Sequence, residues 1–61
     1  MNKRIESIQI QIEHFNQTIA KMDAAIAKVK GEDKDILTAQ RAALASYVDD
    51  LQGIVDTYGK D

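Results

Sequence analysis

The chain has 61 residues with no cysteine, no proline, three glycines and a formal net charge of −2. That length holds one domain at most, spanning 1–61, and buries only about 60% of the surface that the unfolded chain exposes, so a lone core is marginal. Disulfides and thiolate metal sites are excluded, and the single histidine, His14, builds no zinc site alone, so no metal and no cofactor are expected and stability must come from oligomerisation and regular helix packing.

The first predicted element is a helix over about residues 3–30. Ile5, Ile8, Ile12, Phe15, Ile19, Met22, Ile26 and Val29 follow one another in alternating steps of three and four. That spacing lays a narrow apolar seam along one side of a helix, and such a seam meets another helix. Asn2 is the expected N-cap, because its side chain can accept from an orphan backbone N–H. Lys28 and Lys30 are expected in the last turn, where cations suit the helix dipole. Gly31 is expected to close the helix in the left-handed conformation.

A short acidic turn, about residues 31–34, comes next, with Asp33 or Asp35 expected to cap the second helix. That helix is predicted over about residues 35–58, closed by Gly59. Its seam reads Leu37, Leu44, Leu51 and Tyr58 at one heptad position and Tyr47 and Ile54 at the other, with Val48 and Val55 widening the stripe. A short turn makes the helices antiparallel neighbours. The predicted fold is therefore all-α, an antiparallel helical hairpin. Such a hairpin has no third layer over its seams, so two copies are expected to pair into a four-helix bundle.

Several residues break this pattern. Ile10 lies opposite the first seam and could anchor a second binding face together with Phe15 or His14. Gln40 occupies a seam position, where a polar residue sets register or oligomeric state. Ala39, Ser46 and Gly53 recur every seven residues, and a glycine inside a helix costs about 1 kcal/mol relative to alanine. A close helix–helix contact along that flank would account for the cost. Ile10, His14, Ala39, Ser46, Asp49 and Gly53 are the candidate partner surface.

Catalytic chemistry is not legible. Ser7 and Ser46 stand alone, no glycine-rich phosphate loop occurs, and adjacent Asp49 and Asp50 diverge by about 100° on a helix. No pocket is expected in a bundle of this size, and the chain is expected not to be an enzyme. No apolar run approaches the roughly 20 residues that span a bilayer. Lys3 and Arg4 are followed by no continuous apolar stretch of the signal-peptide kind. A cytoplasmic protein without a membrane partner is expected, and an opening Met1 reads as a complete small gene product.

The charge is unevenly placed: residues 1–30 carry a balance of +2 and residues 31–61 a balance of −4. Attraction between the two helices is the simplest consequence, and a charged partner is another. The expected function is that of a homodimeric regulator, inhibitor or adaptor that binds a larger protein, of the kind carried by phages and plasmids. In length and layout the chain also resembles the Rop family of plasmid copy-number regulators, helical hairpins that dimerise into four-helix bundles and bind paired RNA loops. That resemblance implies RNA as an alternative partner, met by a face bearing Asn2, Lys3, Glu6, Gln9, Ile10, Glu13, Asn16, Gln17 and Lys21. A third reading is an acidic nucleic-acid mimic built on Asp49, Asp50, Asp56 and Asp61.

Overall fold

A computed structural model describes residues 2–59. Two helices, α1 (Lys3–Ile26) and α2 (Gly31–Tyr58), account for nearly all of them, and among the described residues there is no strand. The helices run antiparallel. Phe15 packs on Tyr47 near mid-length, Asp23 pairs with Arg41 towards the turn, and Ile5 lies beside Gly59 at the open end. The hairpin is long and thin, 47 × 15 × 11 Å.

Local chemistry explains the start of α1. The Asn2 backbone is extended, and its Oδ1 accepts from the Arg4 backbone N–H at 2.8 Å, as its N-cap position requires. Glu6, in the first turn, adds a negative charge at the positive end of the dipole.

The turn lies earlier than the sequence indicates. The first helix ends at Ile26, not near residue 30, so Lys28 and Lys30 fall beyond its last turn and not within it. Reversing direction between helix axes about 8–10 Å apart needs more than one left-handed glycine. Residues 27–30 supply the span, and Lys30 at its end is extended, with φ −139° and ψ 164°. Gly31 does adopt a left-handed φ of +66°, but it opens α2 and does not close α1. Without a Cβ it makes that entry at no steric cost. Neither Asp33 nor Asp35 is the cap: both lie inside α2, whose N-cap is Lys30 with no side-chain hydrogen bond. Glu32 and Asp33 still sit in the first turn and favour the helix dipole.

At its other end α2 closes on Gly59, whose backbone N–H donates to the Val55 carbonyl at 2.7 Å. A Cβ here would collide with that same carbonyl and press against Ile5, so glycine lets the end of α2 settle against the start of α1.

The core is small. Ile5, Ile12, Val48 and Leu51 are the buried residues, and Ile8, Phe15, Ile19 and Val55 pack against the Ile12–Val48–Leu51 group. Met22, Ile26, Val29, Leu37 and Leu44 are half-buried towards the turn. The ladder of α1 thus faces α2 along its length. In α2 the inner line is displaced from the expected seam. It runs Leu37, Arg41, Leu44, Val48, Leu51 and Val55, while Tyr47, Ile54 and Tyr58 are exposed. The apolar arc of α2 is wider than one helix can cover, and α1 takes only one side of it. Arg41 belongs to this inner line because its guanidinium meets Asp23, Nε to Oδ1 at 2.9 Å. The pair is largely solvated, 39% and 53% exposed, so it contributes at most about 1 kcal/mol and acts mainly on alignment.

Candidate interaction surface

The apolar residues that α1 leaves uncovered gather on one flank of α2. Ile36, Tyr47, Ile54 and Tyr58 are separated by 11, 7 and 4 residues, close to three, two and one helical turns, so they form a single stripe. They are 53%, 48%, 39% and 70% exposed. Tyr47 meets Phe15 of α1 edge to face, with ring centroids 5.7 Å apart. The stripe therefore continues onto α1 at Phe15, whose heptad neighbours Ile8 and Met22 are also only half-buried. The result is an apolar face shared by both helices and extending along the hairpin.

The accessible surface of the chain is large for its mass. It is 4743 Å². A compact monomer of 6.8 kDa exposes about 4000 Å². The excess of about 700 Å² follows from the long thin shape, in which a two-helix core covers little of the chain.

The candidate partner residues lie elsewhere, and the fold does not bring them together. Ile10 is 67% exposed and half a helical turn out of phase with Ile19, so it points away from α2. His14 is exposed on the same outer side, with its ring 6.1 Å from that of Phe15. Ala39, Ser46, Asp49 and Gly53 are all exposed on the outer side of α2. These are opposite edges of the hairpin. Gln40 is exposed as well, on the flank that carries Tyr47 and Ile54. Ile36 is the one residue of the apolar stripe that the heptad reading omitted, although its spacing to Tyr47 and Ile54 was present in the sequence.

A Cβ built on Gly53 would meet nothing within 4 Å, so no close contact inside the hairpin accounts for this glycine. Gly53→Ala is therefore expected to raise the free energy of unfolding by about 1 kcal/mol in chemical denaturation, through helix propensity alone. A loss of stability instead would mean that Gly53 lies beneath a helix of another molecule.

On the face away from the stripe an open groove of about 550 Å³ runs between the helices. Ile12, Ala20 and Val55 line its apolar part, and Gln9, Asn16 and Gln52 are among its polar lining. A groove where none was expected follows from the small Ala20 and from Gln52, whose amide turns to Asp56 Oδ1 at 3.1 Å. It is shallow and holds no nucleophile beside a base. Among the described residues no three His, Cys, Asp or Glu side chains converge as metal ligands, and no helix is long and apolar enough to cross a membrane. Asp49, Asp50 and Asp56 are exposed, whereas Asp61 of the acidic set lies outside the described residues. No protein-family model, no curated protein and no solved structure matches the chain.

Proposed function

We propose that this protein is a non-catalytic helical interaction module that works as a homodimeric four-helix bundle and regulates, inhibits or adapts a larger protein. The apolar face formed by Ile36, Tyr47, Ile54 and Tyr58 with the half-buried Ile8, Phe15 and Met22 carries this reading. A second copy is its natural occupant, because a self-complementary face closes with two-fold symmetry and needs no other molecule. The size of the face agrees: its projection of 47 × 15 Å is about 700 Å², near the roughly 800 Å² per partner of a stable interface.

Pairing leaves the outer edges, Ile10 with His14 and Ala39 with Ser46 and Gly53, free for the larger partner. A protein suits them better than RNA. Glu6 and Glu13 interleave with Lys3 and Lys21 along the outer side of α1 and would repel phosphates. Sedimentation equilibrium at micromolar concentration is expected to return twice the 6.8 kDa chain mass. A folded monomer at that concentration would refute the homodimer.

A further inference from the structure

We infer that the two copies pack with both interhelix turns at the same end, so that α1 of each hairpin lies against α2 of the other. This rests on the homodimer proposed above and specifies its arrangement. Two hairpins packed face to face about a two-fold axis have two solutions. An axis across the helices sets like helix on like helix, with the turns at opposite ends. An axis along the bundle sets α1 on α2, with the turns together.

Charge favours the second solution. Residues 1–30 carry +2 and residues 31–61 carry −4. Within the helices themselves α1 is neutral, with Lys3, Arg4 and Lys21 balanced by Glu6, Glu13 and Asp23, and α2 carries −4, so like-on-like packing places the two acidic helices side by side, whereas the axial arrangement gives each acidic helix only neutral neighbours. Repulsion between like-charged helices disfavours the alternative pairing.

The register of the hairpin points the same way. Phe15 and Tyr47 touch, so they share one level. In antiparallel helices, residues seven steps from this level in opposite directions share another, and those eleven steps away a third. An axial two-fold conserves level. It brings Ile8 of one copy beside Ile54 of the other, Ile26 beside Ile36, and Arg4 beside Tyr58, a guanidinium against an exposed aromatic ring. A transverse axis at full overlap reverses level along α2 (Gly31–Tyr58) and sets Gln40 of one copy against Asp49 of the other. In the axial arrangement Gln40 shares its level with Gln40 of the second copy. That second Gln40 lies across the bundle diagonal, since the helix adjacent to each α2 is α1 of the other copy, which presents Met22 at this level.

Lys28 is exposed in the turn and is a suitable site for a reporter. Lys28→Cys carrying a nitroxide is examined by sedimentation and by pulsed dipolar spectroscopy. The expected result is a dimer with labels less than about 35 Å apart, the diagonal of a bundle with axes about 10 Å apart plus the two label arms. A dimer with a longer separation, of the order of the 47 Å hairpin length, overturns the arrangement and leaves the homodimer standing. A monomer, or any other stoichiometry, overturns both.

Discussion

Ile12→Asp is expected to abolish the cooperative unfolding of the protein, leaving a chain with little helical circular dichroism at 222 nm and 25 °C. Ile12 is buried and packs with Val48 and Leu51 in the core of the hairpin. The substitution removes about 2–3 kcal/mol of apolar burial. It also places a carboxylate where no cation pairs with it, which costs several kcal/mol whether the group stays charged or takes up a proton. Single domains are stable by about 0.05–0.15 kcal/mol per residue, so a chain of 61 residues has only about 3–9 kcal/mol to lose. Ile10→Asp is the contrasting case. It makes the same chemical change two residues away on the outer side of α1, and is expected to alter stability by no more than about 0.5 kcal/mol. Equal losses from the two variants would contradict the burial assigned to Ile12.

Tyr47→Lys combined with Ile54→Lys is expected to weaken self-association by about three orders of magnitude or more, measured by sedimentation equilibrium across a dilution series. Each side chain has roughly half of its surface still to bury, about 1–1.5 kcal/mol, and a two-fold axis makes every substitution count twice. The total of about 4–6 kcal/mol corresponds to a factor of roughly 10³–10⁴ in dissociation constant. Within the hairpin the double substitution removes the edge-to-face contact of Tyr47 with Phe15, while the core contacts of Val48, Leu51 and Val55 are untouched. The midpoint of thermal unfolding should therefore fall and cease to depend on protein concentration, because the stability that association adds is gone. A dissociation constant unchanged by both substitutions would show that this flank is not the interface.

The fate of particular residues shows how much of this was legible beforehand. Asn2 was readable as a cap because capping is local: one side chain reaches a backbone N–H two residues away. The positive φ of Gly31 was readable for the same reason, but which helix it belonged to was not. That depends on how many residues the chain needs to cross between two axes, and this distance is set by packing. Which side of the apolar arc of α2 faces α1 was not readable. Tyr47 and Ile54 satisfy a heptad as well as Val48 and Val55 do, and hydrophobicity alone does not say which of them the neighbouring helix takes. Gly53 faces open space within the hairpin, so a close contact along the small-residue flank would have to come from another molecule.

The sequence by itself determined two helices, their antiparallel pairing and the apolar ladder of the first, since each follows from periodicity and from chemistry within a few residues. The phase of the second helix was left to tertiary structure. Its apolar arc is wider than one partner helix can cover, so only the packing of α1 divides it into a buried line, Leu37–Leu44–Val48–Leu51–Val55, and an exposed one, Ile36–Tyr47–Ile54–Tyr58. The exposed line is where self-association is to be sought. It is a remainder, fixed by what the first helix covers, and a remainder of that kind has no signature in one dimension.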